Sequence, residues 1–247
     1  KLHIPVAHVE AGLRSYNQEM PEEINRVLTD HISKLLFCPT QTAGKNLRNE
    51  GIRNGIYIVG DVMGDALNYF GDVAKSKSDI LEKINISPGN YRLATIHRPV
   101  NTDHSENLTQ IIKVLNHSNL PVVFPIHPRT EKMMNTFSIS LSQNVIPIKP
   151  VGYLDMLQLE KNAECILTDS GGIQKEAYWV GVRCITLREE TEWVETVEMG
   201  WNKLVGANQN KILDALENWY PTTERPMIYG DGHASERIDS IISQYKG

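Results

Sequence analysis

Apolar residues recur in two patterns that alternate along this chain. In the first pattern they return every three or four residues, which is typical of one face of an α-helix. The clearest case follows Pro21, which suits a first helical turn because its missing N–H would have no partner there. The positions that form this stripe are Ile24, Val27, Leu28, His31, Ile32 and Leu35. In the second pattern, short apolar runs such as residues 35–38, closed by Pro39, predict strands.

The alternation of strands and helices predicts an α/β protein with parallel sheets. In the first part of the chain we expect strands at residues 4–9, 35–38 and 56–59, and a helix at 42–49 followed by Gly51. Three strands are fewer than the average sheet of about five or six. We therefore expect residues 1–75 to be the C-terminal half of a Rossmann-like domain whose front half lies outside this sequence.

A polar stretch at about residues 72–90, which ends in a Pro-Gly-Asn turn signal, predicts a domain boundary. The following segment, residues 90–209, is expected to form a complete Rossmann-like domain. Its predicted strands are 91–96, 121–126, 145–148, 164–168 and 183–187, and its predicted helices are 107–116, 130–135, 153–161 and 172–180. Residues 210–247 are expected to add two C-terminal helices, 210–219 and 234–245, that close the cleft side.

The amino-acid composition excludes several classes of protein. The chain has 247 residues, of which 40% are hydrophobic and 22% charged, and a formal net charge of -5. Such a chain has no global basic field for nucleic acid, and it contains no apolar run of the roughly 18 to 20 residues that a membrane span needs. Three cysteines far apart in sequence, Cys38, Cys165 and Cys184, predict reduced thiols in the cytosol and neither a disulfide framework nor a zinc site. The last two lie in apolar runs and are expected in the core.

Four polar clusters follow predicted strands. Ligands of open parallel sheets bind at the carboxyl ends of the strands. The clusters are His8-Val9-Glu10, His97-Arg98, His127-Pro128-Arg129 and Asp169-Ser170-Gly171-Gly172. Any one of them could be an ordinary polar loop, but four at such positions favour a common site in a cleft between the two sheets.

The Asp169-Ser170-Gly171-Gly172 turn joins a strand directly to a helix. Glycines allow close approach of a ligand to the backbone, and the N–H groups and dipole of a helix start favour an anion such as a diphosphate. Glu176, one turn further on, is placed to accept hydrogen bonds from ribose hydroxyls. The alternative is a plain turn, because Asp and Ser are also common N-caps. The sequence has no G-x-G-x-x-G fingerprint, which disfavours NAD, and no cofactor or metal is expected.

Two further groups suit charge and proton chemistry. His97 and Arg98 follow a strand, where arginine suits a phosphate and histidine can bind a diphosphate or exchange a proton. Glu10 and Glu22 end a strand and start a helix, which suits acid–base work. The alternatives are a hydrogen-bonded structural histidine and, for Glu22, dipole stabilisation or an i,i+4 ion pair with Arg26.

The order of these motifs resembles that of the non-hydrolysing UDP-N-acetylglucosamine 2-epimerases along essentially the whole chain. The matching segments are His8-Val9-Glu10-Ala11-Gly12-Leu13-Arg14, Pro21-Glu22-Glu23-Ile24-Asn25-Arg26, Thr95-Ile96-His97-Arg98, Pro125-Ile126-His127-Pro128, Thr168-Asp169-Ser170-Gly171-Gly172-Ile173-Gln174-Lys175-Glu176-Ala177 and Arg188-Glu189-Glu190-Thr191-Glu192. The family is similar to the GT-B glycosyltransferases, so the resemblance implies two Rossmann-like domains facing a cleft, the first one incomplete here.

The resemblance also implies roles for individual residues. The family's catalytic groups match Glu10, Glu22 and His97. Its substrate-binding groups match Ser170, Gly171, Gly172, Glu176, Arg98 and Met156. A second, activating UDP-sugar site beside the first matches Arg98 and His127. The implied partners are the UDP-sugar substrate, a second UDP-sugar and another copy of the chain in a homodimer, in the cytoplasm and without nucleic acid or membrane.

This chain departs from the family pattern in two places. Where the family has His-Arg-x-Glu-Asn, this chain has Val100 at the fourth position, so a carboxylate near the cleft is missing. The family's first half-domain, which carries another catalytic Asp and a diphosphate-binding Arg, is also missing. We therefore expect either a fragment or an activity that needs a partner polypeptide. The stretch Thr191-Glu192-Trp193-Val194-Glu195-Thr196-Val197-Glu198 leans towards a branch acting on diacetamido uronic acids.

The resemblance implies inversion of C2 in a UDP-2-acetamido sugar, from UDP-GlcNAc to UDP-ManNAc, by elimination and re-addition of UDP. Two alternatives remain. A GT-B glycosyltransferase would share the fold and the diphosphate turn but would need an acceptor. A truncated chain could bind UDP without catalysis.

Overall fold

The structure is a computed structural model that describes residues 4–245. Two compact units divide the chain, and each is described by itself. The first consists of residues up to Tyr69 together with residues from Pro226 onwards, and the second of residues Phe70–Arg225. The division falls within a long helix, α3 (Val62–Lys77), and earlier than the polar stretch that predicted a boundary.

The first unit contains a small parallel sheet. Its strands β1 (Ala7–Val9), β2 (Leu35–Cys38) and β3 (Ile56–Ile58) pair in that order. Helices α1 (Pro21–Ile32) and α2 (Gln41–Asn49) connect them, and α12 (Ala234–Gln244) returns from the end of the chain. Leu35, Phe37 and Val59 pack with Ile238 of α12, so the last helix belongs to the core of this unit.

The second unit is a complete doubly wound domain. Its six strands are β4 (Arg92–Thr95), β5 (Val122–Pro125), β6 (Val145–Ile148), β7 (Cys165–Thr168), β8 (Arg183–Thr186) and β9 (Asn202–Leu204). All pair in parallel, in the order β6-β5-β4-β7-β8-β9. Counted within the unit, this is the 3-2-1-4-5-6 order of dinucleotide-binding folds.

Helices cover both faces of this sheet. They are α4 (Ile80–Lys83), α5 (Pro99–Thr102), α6 (Ser105–Asn116), α7 (Pro128–Thr136), α8 (Tyr153–Lys161), α9 (Gly171–Val180), α10 (Val194–Glu198) and α11 (Gln209–Asn218). One apolar cluster lies between the sheet and α6, and the other between the sheet and α9. Cys165 and Cys184 are fully buried and unpaired, as expected for core thiols.

The last part of the chain differs from the single closing segment that was expected at residues 210–247. Helix α11 packs in the second unit and α12 in the first. Asp65 of α3 anchors the start of α12, since its carboxylate accepts the backbone N–H groups of Ala234 and Ser235 at 3.0 and 2.6 Å. Within residues 4–245 no helix is both long enough and apolar enough to cross a membrane.

Candidate active site

The two predicted clusters that follow β4 and β7 lie at the point where the strand order of the second unit reverses. These strands are neighbours, and Thr95 is in register with Thr168. Their hydroxyl oxygens are 2.6 Å apart, which ties the two carboxyl ends together. In an open α/β sheet the crevice for the ligand opens at this switch point. The fold therefore brings His97-Arg98 and the Asp169-Ser170-Gly171-Gly172 turn to one edge.

Asp169 is the residue that joins these two segments. Its side chain is fully buried, and its carboxylate accepts the backbone N–H groups of His97 at 3.0 and 3.1 Å and of Arg98 at 3.0 Å. The side-chain amide of Asn101 donates to the same carboxylate at 3.0 Å and to the carbonyl of Leu187 at 3.0 Å. A buried carboxylate with several donors is satisfied and rigid. Asp169 thus fixes the backbone of the loop that carries His97.

His97 lies beside His127, the other histidine predicted at a strand end. The two ring centroids are 5.8 Å apart at an interplanar angle of 44°. The side chain of His97 is 40% exposed, and its Nε2 lies 3.9 Å from a carboxylate oxygen of Asp169. His127 caps α7 by accepting the N–H of Arg129 at Nδ1, 3.1 Å away, so a neutral His127 ring carries its proton on Nε2.

The loops after β4 and β5 are also held to each other. Arg129 pairs with Asp103 and donates to the hydroxyl of Thr102 at 3.1 Å. Thr130 donates its hydroxyl proton to the carbonyl of Ile96. The pair lowers the pKa of Asp103, first through the hydrogen bond from Arg129. The predicted His97 and His127 clusters therefore form one connected edge.

Ser170 and Gly171 form the start of α9. Ser170 is the N-cap, and its hydroxyl oxygen accepts the N–H of Ile173 at 3.5 Å. The remaining N–H groups of a first helical turn point out of the helix and attract an anion. Gly171 has a further role in this structure, because a Cβ at this position would lie 2.4 Å from a carboxylate oxygen of Glu192.

The segment after β8 packs against the first turns of α9. The guanidinium of Arg188 lies 3.0 Å from the carboxylate of Glu192. Thr191 donates its hydroxyl proton to the side-chain oxygen of Gln174 at 2.7 Å. The Nζ of Lys175 lies 4.2 Å from the centroid of the Trp193 ring, a cation–π contact. The Arg188–Glu192 motif thus packs against the predicted diphosphate turn.

Glu176 and Met156 lie on the neighbouring helices α9 and α8. Glu176 is only 8% exposed, and Met156 packs at the edge of the apolar cluster against α9. Burial raises the pKa of the Glu176 carboxyl, against the effect of a hydrogen bond from Glu160 and of the charge of Lys175. Burial, together with the charges of Glu176 and Glu160, raises the pKa of Tyr153 at the start of α8 to about 12.

In the first unit, a buried aspartate organises the loop after β1. Asp30 accepts hydrogen bonds from the Nδ1 of His8 at 2.6 Å, the N–H of Gly12 at 3.1 Å and the guanidinium of Arg14 at 2.7 Å. Burial opposes the charged carboxylate most strongly, but the bonds from His8 and Arg14 and the charge of Arg14 together lower the pKa of Asp30. Glu10 lies within this loop, half-buried.

Glu10 adopts a backbone conformation that side chains rarely occupy. Its φ is +66°, in the left-handed region. Such a conformation costs about 1 kcal/mol or more and persists where the surrounding structure holds it. Asp30 bonds to the ring of His8 before Glu10 and to the backbone N–H of Gly12 after it, so it ties down the chain on both sides of Glu10. The backbone conformation at Glu10, just after β1, is therefore imposed by the loop.

Glu22 is exposed in the first turn of α1, whereas the adjacent Glu23 is buried. Glu23 accepts the backbone N–H groups of Ser15 and Tyr16 at 3.0 and 2.9 Å, and Arg26 lies 3.4 Å from it. Arg26 therefore pairs with Glu23.

Sequence reasoning missed four residues that shape these sites: Asp30, Glu23, Glu160 and Glu192. Asp30 and Glu23 lie on a helix that was predicted, but nothing in the local pattern distinguishes a buried acid from an exposed one. Arg188 and Glu192 lie in an irregular segment after β8, where the i,i+4 rule for helices gives no signal of their contact. Among residues 4–245, no group of three or more His, Cys, Asp and Glu side chains is placed to hold a metal ion.

The sequence of this chain is similar to those of known proteins. The sequence model of the family described as UDP-N-acetylglucosamine 2-epimerase matches residues 1–243. A UDP-N-acetylglucosamine 2-epimerase homolog from Methanococcus maripaludis is 52% identical over 98% of this chain and 70% of its own length. The UDP-2,3-diacetamido-2,3-dideoxy-D-glucuronate 2-epimerase of Pseudomonas aeruginosa is 44% identical over 99% of this chain and 69% of its own length.

A solved structure agrees with this relationship. The crystal structure of Methanocaldococcus jannaschii UDP-GlcNAc 2-epimerase in complex with UDP-GlcNAc and UDP is similar with a TM-score of 0.90 and 44% identity, over 99% of this chain and 70% of that one. The similarity confirms the expected α/β, GT-B-like fold class. The roles of the individual site residues stay predictions.

Proposed function

Because this chain belongs to the UDP-N-acetylglucosamine 2-epimerase family, we propose that it inverts C2 of a UDP-linked 2-acetamido sugar, converting UDP-GlcNAc to UDP-ManNAc. The protein is thus an isomerase. The observation that carries the proposal is the switch-point edge, where Asp169 fixes the His97 loop beside the start of α9. A glycosyltransferase has less support, since the named relatives are epimerases.

The diphosphate of the substrate binds at the start of α9 in this proposal. The outward N–H groups next to Ser170, at Gly171 and Gly172, and the helix dipole stabilise its negative charge. His97 on the adjoining loop, with its exposed ring, donates a hydrogen bond to the departing diphosphate. Preorganised donors of this kind contribute roughly 3 to 4 kcal/mol each to a transition state.

The reaction then proceeds by elimination. A carboxylate removes the proton from C2 while the C1–O bond breaks, its electron pair leaves with UDP, and a C1–C2 double bond forms. The diphosphate oxygen then adds back to C1, and a proton reaches C2 from the opposite face. We assign the proton transfers to Glu10 and Glu22. The fixed backbone at Glu10 supports a role that needs accurate placement.

The nucleoside end of the substrate binds near α8 and α9. Glu176 accepts hydrogen bonds from ribose hydroxyls, and Met156 supplies apolar contact. The support is that Met156 lies on α8 and Glu176 on the neighbouring helix α9, which begins at the diphosphate turn. Arg98 completes the set of substrate-binding residues, and its backbone is held by Asp169.

A second UDP-sugar acts as activator through Arg98 and His127 in this proposal. The contact between the His97 and His127 rings offers a route from one ligand to the other. The homodimer and the cytoplasmic location stay predictions. The diacetamido-glucuronate enzyme of Pseudomonas and the UDP-GlcNAc enzyme of Methanocaldococcus are both 44% identical to this chain. Sequence identity therefore favours neither sugar over the other.

The test is the reaction in deuterium oxide with UDP-GlcNAc alone, followed by proton NMR and mass spectrometry of the nucleotide sugar. We expect UDP-ManNAc that carries deuterium at C2, because the removed proton exchanges with solvent. Epimerised product without label would point to oxidation and reduction at a neighbouring carbon and would overturn the mechanism. Binding of UDP without any turnover would support the non-catalytic alternative. A parallel reaction with the UDP-diacetamido-glucuronate sugar identifies the preferred substrate.

A further inference from the structure

A buried glutamine side chain connects the start of α9 to the segment after β8. Gln174 lies in the first turns of α9 and is completely buried. It is the one glutamine that is buried among residues 4–245. The mechanism proposed above gives Gln174 no role. A buried amide is unfavourable unless hydrogen bonds satisfy it, so its partners show what this side chain does.

The donors around the amide of Gln174 determine its orientation. Its Oε1 accepts the hydroxyl proton of Thr191 at 2.7 Å and an amide N–H of Asn202 at 3.1 Å. The Thr191 oxygen accepts the backbone N–H of Trp193 at 3.1 Å, which leaves its own proton for Gln174. The Nε2 of Gln174 therefore faces the carbonyl of Ser170 and donates to it at 3.2 Å.

Asn202 on β9 is itself held by two buried threonines. Its side-chain NH₂ group also donates to the hydroxyl of Thr196 at 3.0 Å, and its side-chain oxygen accepts the hydroxyl proton of Thr186 at 2.7 Å. All three of these residues are buried. A buried network in which donors and acceptors match in this way is rigid. The sheet thus holds the side chain of Gln174 in one place.

The carbonyl of Ser170 shares a peptide group with the N–H of Gly171. A trans peptide is planar, so its C=O and N–H point in opposite directions. A bond that draws the Ser170 carbonyl towards α9 therefore turns the Gly171 N–H out of the helix start, where anions bind. On its other side, Ser170 donates its own N–H to the hydroxyl of Thr168 at 2.9 Å. The peptide groups on both sides of Ser170 are thus held by side chains.

The other hydrogen bonds of this first turn are long. The backbone N–H of Gln174 lies 3.4 Å from the Ser170 carbonyl, and the N–H of Ile173 lies 3.5 Å from the Ser170 hydroxyl. Ordinary N–H···O bonds measure about 2.9 to 3.0 Å. Gly171 and Gly172 have no side chain to restrict their backbone. The side chain of Gln174 is therefore the closer of the two Gln174 donors to this carbonyl.

We propose that Gln174 is a positioning residue, which holds the carbonyl of Ser170 and so aims the N–H of Gly171 at the diphosphate of the bound nucleotide. This inference rests on the proposed function, which places the diphosphate at the start of α9. Gln174 acts through the Ser170–Gly171 peptide and does not contact the nucleotide. Its effect should therefore appear in the binding of the phosphate groups and not in the binding of the nucleoside.

The test removes the donor and compares two ligands. Gln174→Met keeps the length of the side chain but has no N–H for Ser170. Gln143→Met, the matched control, makes the same change at an exposed position before β6 in the same unit. Calorimetric titrations use UDP and uridine, which lacks the phosphates. We expect Gln174→Met to bind UDP roughly tenfold more weakly, with uridine affinity changed by less than about twofold. A general loosening of the unit would weaken both ligands alike.

A second measurement uses the wild type alone. In protein labelled with ¹⁵N at the glutamine side chains, the Nε2 protons of Gln174 should exchange with solvent much more slowly than those of exposed glutamines such as Gln143. The slow signal should be present without any nucleotide, because the bond to Ser170 exists before the ligand binds. If no glutamine side chain shows slow exchange, the bond is overturned even where Gln174→Met fails to fold.

The outcomes separate this inference from the proposed function. A wild type that binds UDP no more tightly than uridine would overturn the diphosphate site itself. If the wild type prefers UDP and a folded Gln174→Met keeps the same preference, the positioning role alone is overturned. A selective loss of UDP affinity in Gln174→Met, with Gln143→Met like the wild type, supports both.

Discussion

Two buried aspartates, one in each unit, fix the loop that follows a strand, and they do so with different partners. Asp30 is satisfied by the charged guanidinium of Arg14 together with His8. Asp169 is satisfied by two backbone N–H groups and the neutral amide of Asn101. The first loop is therefore held largely by charge, and the second by directed bonds from neutral donors. The difference teaches that similar site scaffolds can respond differently to pH and to substitution.

The largest expected effect is that of Asp169→Asn. The amide can accept through only one atom. Its NH₂ group would face the N–H of His97 in one orientation, and the donors of His97, Arg98 and Asn101 in the other. Each buried donor left without a partner costs roughly 1 to 3 kcal/mol. We expect the second unit to lose about 3 kcal/mol of unfolding free energy, and we expect turnover to fall more than a hundredfold because the His97 loop moves.

Urea unfolding and UDP-GlcNAc turnover check this expectation. Asp239→Asn, an exposed position on α12, is the matched control and should behave as the wild type. A stable and active Asp169→Asn protein would show that the loop after β4 does not depend on this carboxylate.

Asp30→Asn should have the next largest effect on the free energy of unfolding, and it should change how that free energy depends on pH. Removing one member of a buried ion pair costs about 3 kcal/mol, although Arg14 retains Glu50 at 2.6 Å as a partner. Because the pKa of Asp30 is lowered in the folded protein, its stabilisation is complete above the ordinary value of about 3.9 and is lost as pH falls through the lowered pKa.

The unfolding free energy that is lost as the pH falls should therefore be smaller in Asp30→Asn than in the wild type. Urea unfolding between neutral pH and pH 3 measures it, with Glu50→Gln as a control that leaves Asp30 ionised. An identical acid loss in wild type and Asp30→Asn would contradict the charge-based account of the first loop.

Gly171→Ala tests how closely the start of α9 is packed. An added Cβ would meet the Glu192 carboxylate, which is itself buried and paired with Arg188. We expect a loss of about 1 to 3 kcal/mol through overpacking and a fall in UDP affinity. Gly71→Ala in α3, where nothing lies within 4 Å, should be neutral or stabilising. Calorimetric titration and thermal unfolding compare the two, and equal UDP affinity in both would show that Glu192 can move freely.

The sequence predicted the helices and strands of both units better than the contacts that hold their loops together. Residues 35–38, 145–148 and 153–161 were predicted with the bounds that the structure has, because their apolar patterns are uninterrupted. Strand β9, Asn202–Leu204, was missed because an edge strand with two polar residues has no such pattern. Helix α3 was missed because glycines and polar residues interrupt its stripe.

The site shows the same limit. Composition and order placed His97 and the α9 turn at strand ends, which parallel pairing then brought together. The bonds from His97, Arg98 and Asn101 to Asp169 join residues 68 to 72 positions apart. Such contacts depend on strand order, which single-sequence patterns do not specify. For the same reason, the burial of Glu160 could not be foreseen.

We expect the smallest change in stability for Val100→Glu. This substitution adds a charge next to the loop after β4, which Asp169 holds through neutral donors. Val100 is 54% exposed on α5, three residues after His97, so the substitution should alter unfolding free energy by less than about 0.5 kcal/mol. We expect a larger effect on activity, because a carboxylate at position 100 restores the Glu of the His-Arg-x-Glu-Asn pattern that the family has. Initial rates against UDP-GlcNAc concentration should show a stronger response to a second UDP-sugar. Val100→Gln controls for size and polarity, and an equal response in both variants would show that charge at this position has no part in activation.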